Sequence, residues 1–302
     1  MSAEGGTKAI LAALGANLGI AATKFVAFGF TRSSSMLAEG IHSVADSGNQ
    51  VLLLVGGKRA QRAATEEHPF GFGRSRYLYA FIVSVVLFTV GGLFALYEAY
   101  HKWEDPHGID EHAWLPVAVL VIAILLESFS LRTAVGEANP LRKERSWWRF
   151  IRETKSPELP VVLLEDTAAL LGLMFALFGV GMTIVTGDGH WDAVGTAMIG
   201  LLLVVVAVIL AIETSSQLLG EGASPAALAQ IRQALVGPGV GSVIHLRTMY
   251  VGPDELLVAA KIGVEATESA AQVATAIDEA EVRVRSVVPQ ASLIFLEPDI
   301  KR

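Results

Sequence analysis

The chain has 302 residues, 52% of them hydrophobic and 18% charged, with a net charge of −7 and no cysteine; its mean hydropathy is +0.50. That apolarity suits an integral membrane protein, the acidic balance leaves no electrostatic footprint for nucleic acid, and the lack of cysteine excludes disulfides and thiolate metal ligands. The first eight residues carry Glu4 and no basic start, so they read as neither a cleavable signal nor an Arg-rich transit peptide.

Six apolar segments are long enough to cross a hydrocarbon core, which takes about 20 residues. They lie near 9–30, 36–57, 77–100, 113–134, 158–186 and 191–213. After about Thr214 polar residues return and no long apolar run follows. The expected division is therefore a six-helix transmembrane domain, 1–213, and a soluble domain, 214–302. The loops after the second and fourth spans carry Lys58, Arg59, Arg62, Arg74 and Arg76, then Arg132, Arg142, Lys143, Arg145, Arg149, Arg152 and Lys155. The remaining loops carry Arg32 and Lys102 alone. Basic residues mark cytoplasmic loops, so both termini are expected in the cytoplasm, in a multi-pass plasma (inner) membrane protein.

The tail reads helix, strand, strand, helix, strand. Ser224-Pro225 is an N-cap followed by proline at the first helical position, opening a helix to about Leu235. Strands are expected over 243–251 and 255–264, separated by the turn signal Gly252-Pro253-Asp254. Helical periodicity runs over 267–287, and 291–297 is a last strand. The order predicts a small α+β domain with its helices on one face, too small to be an enzyme by itself.

Within the second span Glu39, His42, Asp46 and Asn49 fall at i, i+3, i+7 and i+10, forming one polar stripe. The fifth span, capped by Ser156-Pro157, carries Glu165 and Asp166. A charge at the centre of a bilayer helix costs roughly 2.5–3.5 kcal/mol on insertion scales, so such groups point to a use. At about 1.5 Å per residue, Asp46 and Asp166 fall at matched depth in a core of about 30 Å. One histidine with carboxylates fits Zn²⁺ best, with Mn²⁺, Fe²⁺ and Co²⁺ as alternatives. His42, Asp46 and Asp166 are the expected metal ligands. The fourth is either Glu165, which points about 100° from Asp166 on an ideal helix, or the carbonyl oxygen of Asn49. Asn17 and Lys24 share one face of the first span and read as helix-pairing groups, with Glu39 or Glu127 as partners. Glu127 stands equally for proton movement. His68-Pro69-Phe70-Gly71 shapes the turn into the third span. His101, His107, His112 and His190, with Asp105, Asp110 and Glu111, read as solvated outer loops rather than a metal-collecting rim.

His42-x-x-x-Asp46, His68-Pro69-Phe70-Gly71, six spans and this tail order resemble the cation diffusion facilitator family. The runs Ala38-Glu39-Gly40-Ile41-His42-Ser43 and Leu163-Leu164-Glu165-Asp166-Thr167-Ala168-Ala169 are similar to its zinc transporter nine-like branch. The resemblance implies a mainly α membrane protein with a cytoplasmic ferredoxin-like domain. It implies a homodimer that exports Zn²⁺ by alternating access with protons moving inward, without a prosthetic group. Metal ligands must deprotonate to bind, and an imidazole titrates near neutral pH. His42, Asp46 and Glu39 are thus the candidates for proton coupling. Two departures stand out. Val162 occupies the position where many relatives carry a second fifth-helix ligand. The tail has only His245, with Phe295 in its last strand, so pairing of two tails would rest on packing rather than metal.

Two other readings bear on the same residues. A membrane metalloenzyme would show an H-E-x-x-H helix, and the sequence has none. A non-transporting metal-binding membrane regulator would bind metal without proton-dependent flux, with Val162 as the cause.

Overall fold

In the computed structural model, residues 6–31, 34–106 and 114–300 are described, without the side chains of 31, 34–39, 41, 42 and 45. The contacts divide the chain into two units, one of Met1–Arg59 with Ser75–Ser215, the other of Ala60–Arg74 with Ser216–Arg302.

The first unit is helical. It contains α1 (Thr7–Thr31), α2 (Ser34–Ala60), α3 (Ser75–Val86), a π-helical stretch (Leu87–Leu93), α4 (Phe94–Glu104), α5 (Trp114–Arg142), α6 (Trp147–Glu153), α7 (Glu158–Thr186) and α8 (His190–Leu219). Among the described residues five stretches are long and apolar enough to cross a membrane: Thr7–Phe30, Ser75–Glu104, Trp114–Arg142, Glu158–Thr186 and His190–Leu219. Each covers one expected span. The remaining expected span, 36–57, lies within the helix α2, which is not one of these five. Helix α7 starts at Glu158 with Pro157 as its cap and no side-chain capping bond, so Ser156 does not cap it as expected.

Apolar packing holds the bundle. Leu53, Ala80, Val83, Leu87, Ala134, Phe150, Leu159, Val206 and Leu210 belong to one buried cluster. Helices α7 and α8 cross at glycines. A Cβ built on Gly195 would lie 2.8 Å from the Phe175 carbonyl oxygen and 3.3 Å from the Gly179 Cα. Only backbone without side chains fits there, as at small-residue crossings between membrane helices. Gly195→Val is expected to destabilise the fold by about 1–3 kcal/mol, the usual cost of overpacking. An unchanged thermal midpoint for the purified variant would refute the close crossing.

The second unit holds α9 (Pro225–Leu235), β1 (Ser242–Gly252), β2 (Glu255–Val264), α10 (Ala270–Val287) and β3 (Leu293–Ile300). The order is the expected one, in a three-stranded sheet β1-β2-β3. Strands β1 and β2 pair antiparallel, with Gly252 opposite Glu255 across the expected turn, while β2 and β3 pair parallel. Alternate β2 residues Leu256, Val258, Ala260 and Ile262 are buried with Ile231 and Leu235 of α9 and Ala276, Ala280 and Val284 of α10, as the period-2 geometry of a strand requires. Ser224 caps α9 as expected. Ser269 caps α10 through a capping box with Gln272, three residues later than the expected helix start. On the solvent side Lys261 bridges Glu297 (3.1 Å) and Asp299 (3.1 Å), tying β2 to β3.

The 60–74 segment groups with this second unit. Thr65 and His68 exchange backbone hydrogen bonds, and the Gly71 N–H reaches the His68 carbonyl at 2.9 Å. Gly71 makes that turn at φ +74°, a conformation that favours glycine. The His68 ring stacks on Phe72 at 4.5 Å. His68-Pro69-Phe70-Gly71 thus shapes a turn, and Arg74 continues from it to the Met249 sulfur at 3.0 Å.

Candidate metal centre

Four carboxylates on three helices come within electrostatic reach of one another. Asp166 and Glu165 of α7 and Asp46 of α2 all act on Glu127 of α5, as does the opposite charge of Lys24 from α1. Asp46 and Asp166 also act on Glu165. Glu127, Glu165 and Asp166 are 4%, 7% and 2% exposed, which in a membrane helix marks groups facing the bundle interior.

Each buried carboxylate has named partners. Ser130, one turn after Glu127, donates its hydroxyl to Asp166 Oδ2 at 2.6 Å. Asn49 Nδ2 donates to Glu165 Oε1 at 2.8 Å, and Gln50 Nε2 donates to Glu165 Oε2 at 3.1 Å. Gln50 Oε1 in turn accepts from Asn17 Nδ2 at 3.3 Å. This chain of amides and one carboxylate stitches α1, α2 and α7 together. It leaves one atom over: Asn49 Oδ1 is buried and has no hydrogen-bond partner among the described residues. A buried carbonyl oxygen without a donor costs free energy unless a donor or a cation meets it.

The expected ligands are thus distributed as follows. Asp46, Asn49, Glu165 and Asp166 gather between α2 and α7. The side chains of Glu39 and His42 lie outside the described residues, although both positions are in α2. Among the described residues no group of three or more His, Asp or Glu side chains is close enough to hold a metal ion. Lys24 donates to Ser43 Oγ at 3.0 Å and lies within electrostatic reach of Glu127, and Asn17 pairs with Gln50, so the first span's polar face does pair helices. The sequence reading passed over Gln50 and Ser130. Their signals were present: Gln50 lies at i+4 from Asp46, and Ser130 at i+3 from Glu127. In the loops expected on the outer side, His190 contacts Asp188 at 2.6 Å and Trp103 edge-on, and His101 packs edge-on against Tyr97. The Asp188 carboxyl is held below the usual carboxylate range by hydrogen bonds from the backbone and then the side chain of His190. His107, Asp110, Glu111 and His112 lie outside the described residues.

Residues 10–219 match the family described as the cation efflux transmembrane domain. The chain is similar to the human "Proton-coupled zinc antiporter SLC30A9, mitochondrial", 31% identical over 232 residues that cover 76% of this chain and 41% of that protein. It is 27% identical to metal tolerance protein C4 of Arabidopsis thaliana over 84% of this chain and 56% of that one. It is also 27% identical to the metal cation efflux system protein CzcD of Cupriavidus metallidurans over 76% of this chain and 67% of that one. The chain thus spans about two fifths of the human relative's length. With more than half its residues inside the family's match, this chain belongs to the cation efflux transmembrane domain family.

Proposed function

We propose that this chain exports a divalent cation, Zn²⁺ before Mn²⁺, Fe²⁺ or Co²⁺, in exchange for protons by alternating access. The observation that carries this reading is the gathering of Asp46, Glu127, Glu165 and Asp166 inside apolar helices, beside a buried oxygen of Asn49 that has no donor among the described residues. The name of the human relative, a proton-coupled zinc antiporter, supports the same reading.

In this proposal His42, Asp46 and Asp166 bind the cation. Asn49 Oδ1 supplies the fourth ligand, and Glu165 holds Asn49 and Gln50 in place. The hydrogen bonds support that division, since both Glu165 oxygens already accept from amides. A site of imidazole and carboxylates takes up protons when the cation leaves, because the same atoms serve both. His42, Asp46 and Glu39 are the proton carriers proposed, and Ser130 steadies Asp166. Helix α2 is the sixth span, residues 1–213 form the transport domain, and 214–302 form a cytoplasmic domain through which two copies pair. The excess of basic residues in alternate loops supports the reading that both termini are cytoplasmic, and the membrane proposed is an inner (plasma) membrane.

The test is flux in liposomes. Reconstituted protein is given Zn²⁺ or Mn²⁺ under an imposed pH gradient, beside Asp46→Ala. Gradient-driven Zn²⁺ uptake that the variant loses is the expected result. Uptake that survives Asp46→Ala refutes the site. Metal binding without flux favours the non-transporting regulator, with Val162 as the missing ligand.

A further inference from the structure

The linker between α5 and α7 differs in charge from the rest of the chain. Residues 142–155 hold six basic residues, Arg142, Lys143, Arg145, Arg149, Arg152 and Lys155, against Glu144 and Glu153, in a chain whose net charge is −7. Helix α6 lies in the middle of this linker. Ser146 caps it by accepting the Arg149 N–H at 3.2 Å, and Phe150 (0% exposed) and Ile151 (8%) pin it to the helical bundle. Two large aromatic side chains remain outside, Trp147 at 38% and Trp148 at 53% exposed. The Arg142 guanidinium sits 4.6 Å over the Trp147 ring. The Arg149 and Arg152 side chains are 67% and 60% exposed even though each bridges a carboxylate, Glu153 and Glu213 respectively.

Position decides what this surface meets. Helices α5 and α7 are both long and apolar enough to cross a membrane, and four residues on either side of α6 join it to them. An extended residue reaches at most about 3.6 Å, so α6 stays within about 15 Å of the ends of two spans. That is the level at which hydrocarbon gives way to headgroups. Tryptophan is enriched there because its ring is apolar and its N–H polar. Basic residues close to a membrane surface are drawn to acidic lipid.

We propose that α6 and its basic flanks form a docking site for anionic phospholipid. The Trp147 and Trp148 rings insert among the upper acyl carbons, and the guanidinium and ammonium groups of 142–155 meet the phosphates. Both features are needed: charge alone would suit any polyanion, and two adjacent exposed tryptophans alone would suit any bilayer.

The full chain in nanodiscs tests this. Tryptophan quenching is compared between discs containing brominated phosphatidylglycerol and discs containing brominated phosphatidylcholine, each against Trp147→Phe/Trp148→Phe, since the chain has five tryptophans. The expected result is stronger quenching by the anionic lipid, lost in the double variant. Each basic residue removed, in Lys143→Gln and Arg149→Gln, is expected to cut the lipid preference about fivefold, and Arg149→Lys to retain it. Equal quenching by the two lipids, or full preference in Lys143→Gln/Arg149→Gln, overturns the proposal. So does competition by inorganic phosphate alone, which would mark a phosphate site. Wild-type quenching by neither lipid overturns it in favour of a protein partner. None of these readouts uses flux, so the outcome stands whatever cation the chain carries.

Discussion

Asp166→Asn is expected to abolish proton-driven Zn²⁺ uptake, whereas Glu165→Gln, one residue earlier, is expected to slow it by about 10- to 100-fold. The two carboxylates are neighbours in sequence and equally hidden, but their partners differ. Among the described residues Asp166 accepts from one donor, the Ser130 hydroxyl at 2.6 Å on one oxygen. Glu165 has a donor on each oxygen. Substituting a group that orients a metal ligand typically costs 10–100-fold in affinity or activity, and deleting a ligand costs more. Glu165→Gln turns one acceptor into a donor facing Asn49 or Gln50, so Asn49 loses its fixed orientation without losing its own oxygen. Zn²⁺ binding by calorimetry beside flux measures the difference. If Glu165→Gln removes binding as completely as Asp166→Asn, Glu165 is itself a ligand and the division of roles fails.

Arg76→Ala is expected to destabilise the helical unit by about 3–5 kcal/mol, the cost of stranding one member of a buried ion pair. Arg76, in the first turn of α3, binds Glu158, the first residue of α7, through both arms of its guanidinium. Its Nη2 donates to Glu158 Oε2 at 2.8 Å, and its Nε pairs with Oε1. The two side chains are only 10% and 5% exposed. The carboxylate also sits at a helix N-terminus, where a negative charge is favoured. Removing the arginine leaves Glu158 buried without its counter-ion. Arg76→Met/Glu158→Leu removes both charges and is expected to recover most of the loss, because buried pairs replaced together by apolar residues are often neutral. Unfolding of the single and double variants in detergent measures this. Equal midpoints for Arg76→Ala and the wild type would show that the pair contributes nothing.

Much of the architecture was legible because the physics behind it is local. A run of about 20 apolar residues has few ways to satisfy its backbone in lipid except as a helix, so the spans could be read from hydropathy alone. The tail order was legible for a related reason: Ser224-Pro225 and Gly252-Pro253-Asp254 are local punctuation, and the alternation along 255–264 is a strand's own period. The polar stripe of α2 was visible as residues that a bilayer does not tolerate idly. What stayed hidden depends on how helices are rotated about their own axes. The apolar runs 158–186 and 191–213 do not say that Gly179 and Gly195 meet backbone against backbone. The spacing of Glu165 and Asp166 predicts directions 100° apart, but not which neighbours lie in each direction.

The sequence by itself determined the membrane class of this protein, the order of its membrane-length helices and of the tail's helices and strands, and the set of ionisable residues placed among apolar ones. Each of these follows from composition and periodicity within about 20 residues. Only the tertiary structure decided the pairings: Glu165 with Asn49 and Gln50, Asp166 with Ser130, Arg76 with Glu158, and α6 turned with Phe150 inward and Trp148 outward. These partners lie from 36 to 116 residues apart in the chain. Side chains that far apart meet only where close-packed helices fix their rotation.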